Sequence, residues 1–521
     1  MKQRIQETAG APTATGIASG AREVDFREVA LAAQRMSGGL AALGVRPGDC
    51  VAILMRNDIP YLVASYGAMA LGAFVVPINW HFKSDEIAYV LADSGAKALI
   101  AHADLARAAK DAIAPALPVL AVETPPEILA AYGIDPALAR APEGFPELEA
   151  WLAAQTPDAG TPRPTSVSMI YTSGTTGRPK GVKRRAMTPE EQTAMDALRN
   201  LVFGLKPGCR TAITGPLYHS APNAFALRAG RCAERLVLMP RFEAEQLLAL
   251  IERERLDTLF MVPTMFVRLL KLPADARRRY DVSSLRHVIH AAAPCPAEIK
   301  RAMIEWWGPV IYEFYGSTES GPVTFVSSAE SLAKPGTVGR IAPGAEVKIL
   351  DEAGRVLPWG EIGEIFSRIP AYPDFTYHNQ PERRREIERD GFITSGDVGY
   401  FDADGYLFLC DRKRDMVISG GVNIYPAEIE AVLHEMPAVA DCAVFGVPDD
   451  EYGEALMAVI EPVKGARVDV AGVRAELSRR LADYKVPKTI EVRADLPRED
   501  SGKIFKRKLR DPYWEGVHRK I

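Results

Sequence analysis

Hydrophobic and polar positions alternate along most of this chain in two periods, one helical and one strand-like. ALAAQRMSGGLAALG carries apolar residues at helical spacing and stops at Gly44. DCVAILMRN is a strand run with a polar end, and DEIAYVLADSGAKALIAHADL reads as helix then strand. Repeated alternation of this kind between residues 25 and 120 predicts a parallel sheet covered by helices. Residues 121–165 are rich in Ala and Pro with weak periodicity, and read as a helical excursion and linker. From 166 to 330 the alternation resumes, with SVSMIYT, RTAITGP, ERLVLMP, TLFMVP, HVIHAAAP and PVIYEFYG as short strands. Each ends in a Gly, Pro or Ser-rich turn, where open α/β sheets hold their ligands. From 336 to 410 closely spaced strands with DEAG and PWGE turns predict antiparallel β structure. After the charged run DRKRD, about 107 residues carry their own strands and helices, enough for a small α+β domain.

The uncharged stretch Ile59–His81 is long enough to cross a bilayer, but it contains Pro60, Gly67, Gly72, Pro77 and Asn79. It reads instead as a helix (61–71) followed by a buried strand (73–78). The N-terminus has no apolar core after its charges, so it does not resemble a signal peptide.

Composition narrows the picture further. At 521 residues the chain exceeds one ordinary core. Its 67 acidic and 63 basic residues leave a net charge of -4, which gives no field for general nucleic-acid or membrane binding. The six cysteines include no pair within ten residues, so there is no CxxC or zinc knuckle, and the usage fits a reducing cytoplasm. The 41 glycines and 39 prolines point to many shaped loops.

One of these loops carries recognisable chemistry. YTSGTTGRPKGVKRR follows a strand and combines Gly174, Gly177 and Gly181 with the hydroxyls of Thr172, Ser173, Thr175 and Thr176 and the charge of Lys180. Glycines let backbone N–H groups approach an anion, so the loop suits a polyphosphate. It lacks the Gly-Lys-Ser/Thr order of a Walker loop. YTSGTTGRPKG matches without a break the signature of the adenylate-forming superfamily: acyl-CoA synthetases, luciferases and adenylation domains of peptide synthetases. The chain resembles that superfamily, and within it the acyl-CoA synthetases.

Further segments carry the resemblance in the family's order. YEFYGSTESG resembles the adenine and magnesium motif. This implies Tyr315, Gly316 and Ser317 beside the nucleotide, Thr318 on a phosphate, and Glu319 as a catalytic residue and the Mg2+ ligand. Glu313 falls where Asn or Asp commonly meets the adenine amine. HAAAPCP resembles the second adenine-side turn, with Ala292 and Ala293 lining the base where the family often has Gly. Asp397 resembles the ribose-binding Asp, and Arg412 its partner. DRKRDMVISGGVNIYP resembles the hinge, which implies a turn about Arg414, with Gly420 and Gly421 lining the CoA tunnel. SGK near the end implies Lys503 as the catalytic lysine. His219, in PLYHSAPNAFALRAG, resembles the aromatic gate between carboxylate and thiol. That segment has no acid to pair with an amino group, which disfavours amino-acid substrates.

The resemblance implies an α/β fold: a large N-terminal domain (1–411) of two helix-flanked sheets plus a β-rich subdomain, with a small mobile α+β C-terminal domain (412–521). The body divides near 25–165, 166–335 and 336–411. It implies an ATP-dependent carboxylic acid:CoA ligase using ATP, Mg2+ and CoA. Small and apolar residues around Ala221, Ala224, Phe225 and Ala291 point first to a medium- or longer-chain fatty acid and second to an aryl or cyclic acid. A stand-alone enzyme loading a carrier protein, a luciferase-like oxygenase and a non-catalytic binding module are further alternatives. Monomer and homodimer both remain open, and no nucleic acid or transmembrane segment is expected.

Overall fold

The structure is a computed structural model that describes residues 15–158, 160, 163, 168–172, 179–413, 415–419, 422–449, 452–498 and 504–515, with Arg412 and Asn423 described in backbone only. The early helix–strand alternation forms a sheet of four parallel strands in the order Phe74–Pro77, Cys50–Leu54, Ala98–His102 and Val119–Val122. The uncharged stretch is the helix Ile59–Ala70 and the strand Phe74–Pro77, both buried within the protein. No helix of the described residues is long and apolar enough to cross a membrane. The Ala/Pro-rich excursion is more ordered than its weak periodicity suggests. It contributes Val119–Val122 to the sheet, and the helices Pro126–Tyr132 and Leu148–Ala153 follow.

The second sheet holds five parallel strands side by side: Arg235–Leu238, Arg210–Ile213, Thr258–Met261, His287–His290 and Ile311–Ser317. At Ile311–Ser317 the direction reverses. The antiparallel partner Gly321–Val326 passes the hydrogen bonding on to Thr337–Ile341 and the rest of the β-rich region, so the parallel and antiparallel parts form one sheet of fourteen described strands. At the other edge Gly16–Ser19 and Arg22–Val24 join it, from an N-terminal segment that no motif anchored. The expected strand SVSMIYT departs from the α/β pattern. Its described part, Ile170–Thr172, pairs antiparallel with Lys180–Arg184, which pairs with Phe375–Tyr377.

A five-stranded sheet from Val417–Ser419 to Thr489–Val492 lies toward the C-terminus. It has its own apolar core, with Ile424, Leu433, Val444, Ala458 and Leu477 fully buried or nearly so.

One helix matters most for the site. Thr188 caps Pro189–Phe203: its hydroxyl accepts from the Glu191 N–H at 3.2 Å, and the Glu191 carboxylate accepts from the Thr188 N–H at 2.9 Å. Gly204 ends the helix at φ 67°, and a Cβ there would lie 2.2 Å from the His287 ring. His287 donates from Nε2 to the Val202 carbonyl at 2.9 Å and stacks on Tyr312 with centroids 4.2 Å apart. Burial lowers its pKa from 6.5 to about 4, although the Val202 carbonyl works to raise it. The folded protein therefore stays neutral here while the unfolded chain takes up a proton below pH 6.5. Stability should fall as pH drops from 6.5 to 4, by up to about 3 kcal/mol from this group. Urea unfolding at pH 7 and pH 4.5 checks this, because His287→Phe should remove that share of the loss.

Candidate active site

The strand ends of the two large sheets and the small three-stranded sheet open onto one cleft of about 1240 Å³. It brings together Thr172, Lys180, His219, Ala292, Gly316, Ser317, Thr318, Glu319 and Asp397, residues spread over more than two hundred positions.

The turn after Ile311–Ser317 is held by its own hydrogen bonds. The Ser317 hydroxyl accepts from the N–H groups of Glu319 and Ser320 at 3.2 and 3.0 Å. The Ser317 N–H donates back to the Ser320 hydroxyl at 3.0 Å. Gly316 is required by space, since a Cβ there would meet the Gly321 carbonyl oxygen at 2.0 Å. The Glu319 carboxylate accepts from the Tyr377 hydroxyl at 3.1 Å and faces the Thr172 hydroxyl at 3.5 Å. Lys180 sits 5.0 Å from the Tyr377 ring centre, and burial, reinforced by Arg383, lowers its pKa. The three side chains around Glu319 thus come from three strands of the small sheet: Thr172, Lys180 and Tyr377.

On the sugar side, Asp397 accepts from the Tyr315 hydroxyl at 2.8 Å, and its Cα pairs in register with that of Arg412. Tyr315 reaches the site through this bond and is not one of the residues lining the cleft. Ala292 lines it with φ 77°, a left-handed turn in which alanine stands where glycine would be unstrained. His219 caps the helix Ser220–Cys232 at the cleft wall, its ring 4.5 Å from that of Tyr218.

Besides Tyr315, two expected site residues do not line the cleft. Glu313 does not line the cleft: it is 4% exposed and forms an ion pair with the buried Lys300. Burial pushes its carboxyl up while Lys300 pulls it down, and His290 Nδ1 lies 3.9 Å away. Strand alternation separates Glu313 from Phe314: Phe314 lines the cleft, while Glu313 turns away from it toward Lys300. Ala293 likewise falls outside the lining, where Ala291 and Ala292 serve instead. Ser173, Gly174, Thr175, Thr176, Gly177, Arg414, Gly420, Gly421 and Lys503 lie outside the described residues, as does the Arg412 side chain.

Sequence reasoning missed Arg184. It is 4% exposed and donates to the carbonyls of Thr318 (3.2 Å), Glu319 and Pro373. Its guanidinium also lies 3.8 Å from the Tyr372 ring centre. The available signal was strand parity, since Val182 and Arg184 share a buried face within a run that otherwise reads as surface charge. Arg199, Tyr372 and Tyr377 were missed as well, because they meet the cleft only through the fold.

The chain matches the AMP-binding enzyme family over residues 2–372 and the AMP-binding enzyme C-terminal domain over 428–503. It belongs to that family. It is similar to feruloyl-CoA synthase of Amycolatopsis sp, 35% identical over 506 residues covering 96% of each chain. It is also similar to long-chain-fatty-acid–CoA ligase FadD13 of Mycobacterium tuberculosis, 32% identical over 92% of this chain and 91% of that one. The crystal structure of ATP-bound MatB from Rhodopseudomonas palustris superposes with a TM-score of 0.82 at 28% identity, covering 97% of both chains. The expected α/β architecture is that of the adenylate-forming superfamily, and the enzyme class is the AMP-forming acyl-CoA synthetase.

Proposed function

We propose that this enzyme joins an aromatic carboxylic acid to CoA at the expense of ATP. The acid attacks the α-phosphate to give acyl-AMP and pyrophosphate, and the CoA thiol then displaces AMP. A carboxylate is a poor electrophile because its leaving group would be an oxide, and adenylation replaces that oxide with AMP. The first step brings several negative charges together, so it needs positive groups and aligned donors more than an acid or base. Lys180 and the glycine–threonine loop supply these on the pyrophosphate side, Thr318 at the phosphate, and Asp397 with Arg412 at the ribose. Lys503, assigned by its Ser-Gly-Lys context, bridges the carboxylate and the α-phosphate. The donors facing one another at Glu319 and Thr172 are oxygens, the set a hard cation takes, so Glu319 would hold Mg2+ and the ion would neutralise phosphate charge. The body (1–411) and the C-terminal unit (412–521), turning at Arg414, would exchange Lys503 for a thiol tunnel at Gly420 and Gly421, with His219 as its gate.

The aromatic acid takes precedence over the fatty acid because of the rings behind the acyl end. Phe203 stands edge-on to Phe225, Phe314 and Phe260 at centroid distances of 5.6, 6.1 and 6.4 Å. Phe203 and Phe314 line the cleft, and Phe225 and Phe260 are buried behind them. Such a cluster offers faces and edges to a flat ring. The feruloyl-CoA synthase relative supports the same reading. Pyrophosphate release should be CoA-dependent and several-fold faster with benzoic, arylacetic or arylpropenoic acids than with fatty acids of eight or more carbons. A preference for the long chains would overturn the aromatic assignment.

A further inference from the structure

One face of the helix Pro189–Phe203 lines the cleft with Met195, Arg199, Val202 and Phe203. Three of these are apolar and the fourth is a guanidinium. Its side chain is 19% exposed, and its ion-pair contact, Asp196, is 3.9 Å away. Asp196 is already engaged, accepting from Arg228 at 2.7 Å and from Gln192 at 2.8 Å. Across the cleft the Tyr372 ring lies 5.8 Å from the Arg199 guanidinium and 3.8 Å from that of Arg184, whose own acceptors are backbone carbonyls. Two cations therefore flank one phenol at the acyl wall. Burial works to raise the Tyr372 pKa, but the two arginines outweigh it and hold it below its ordinary value. The same charge surplus would favour any oxygen acceptor brought into the pocket, since a desolvated guanidinium gains most from a charged or strongly accepting partner.

We propose that Arg199, with Tyr372, recognises a second oxygen-bearing group on the acid, distinct from the carboxyl that reacts. This rests on the acyl-activating function proposed above and makes the pocket selective for substituted acids. The shared chemistry is an oxygen acceptor, either a ring hydroxyl or a second carboxylate. An acid lacking that group leaves Arg199 with only Tyr372 and the long Asp196 contact, and forgoes a charge-assisted bond that a substituted acid would make.

The test uses the full-length enzyme and ATP–pyrophosphate exchange, so it reads adenylation whatever the thiol acceptor. Benzoic acid is compared with 4-hydroxybenzoic and terephthalic acids, and cinnamic with 4-hydroxycinnamic acid. Wild type should favour at least one oxygen-bearing acid over its plain analogue by roughly 10–100-fold in kcat/KM. Whichever partner wins identifies the group as hydroxyl or carboxylate. Arg199→Met should collapse that ratio to about threefold or less, Arg199→Lys should restore part of it, and Tyr372→Phe should reduce it. A wild type indifferent to the substituent would overturn the proposal. So would an Arg199→Met variant that loses the same factor on every acid or raises KM for ATP, because the arginine would then serve the fold or the phosphates. If wild type exchanged pyrophosphate with no carboxylic acid, the acyl-activating reading would fail too. Exchange with plain and substituted acids alike would sink only the Arg199 inference.

Discussion

Replacing Lys503 by alanine should abolish most adenylation while sparing thioester formation from supplied acyl-adenylate. The lysine is assigned to the one step in which a carboxylate and a triphosphate must approach each other. Removing a single preorganised charge of that kind costs roughly 10²–10³-fold. In the second step AMP leaves and a neutral thiol enters, so the demand for that charge is gone. Pyrophosphate exchange with the best acid, run beside CoA-dependent consumption of a synthetic acyl-adenylate, separates the two halves. An equal fall in both would show that the lysine does not divide its work this way.

Arg184→Met should be nearly as damaging, although Arg184 touches no substrate. Its guanidinium gathers the carbonyls of Thr318, Glu319 and Pro373 and stacks on Tyr372. Methionine fills the volume but leaves these acceptors without a donor, at about 1–3 kcal/mol for each that water cannot reach. The Thr318–Glu319 turn would lose its brace, so the loss should appear in kcat and in the Mg2+ concentration needed for half-maximal exchange. We expect a kcat roughly 10–100-fold lower, since small displacements of positioned groups carry costs of this size. A thermal shift without a change in Mg2+ dependence would reduce Arg184 to a stabilising residue. Lysine should not substitute well, because a single ammonium lacks the planar fork that reaches several carbonyls.

Much of this site was legible in the sequence because its parts are local. A glycine–hydroxyl loop, a Tyr-Gly-Ser-Thr-Glu turn and the aspartate of Ser-Gly-Asp-Val-Gly each announce themselves within ten residues, and the structure gathers Thr172, Lys180, Thr318, Glu319 and Asp397 at one cleft. Glu313 misled because nearness along the chain was taken for nearness to the ligand. A strand turns alternate side chains to opposite faces, and Lys300, which claims Glu313, comes from the preceding helix. Arg184 and Arg199 were illegible for the opposite reason. Their partner Tyr372 lies more than 170 positions downstream, and no local pattern says that a basic run will be buried. The fold followed the same rule. Parallel strands were read from their own periodicity, whereas the small antiparallel sheet joining Ile170–Thr172, Lys180–Arg184 and Phe375–Tyr377 depends on a distant strand.

The C-terminal sheet has its own apolar core, and its Arg498, held by Asp441 and Glu461 at 2.5 Å each, reaches the cleft. A unit with its own core can turn as a rigid door, because that core stays closed when it swings. The proposed rotation would then be balanced by exposed charges. Its equilibrium should lean with ionic strength far more than with temperature, and dissolved salt would act as a brake or a lubricant on the catalytic cycle.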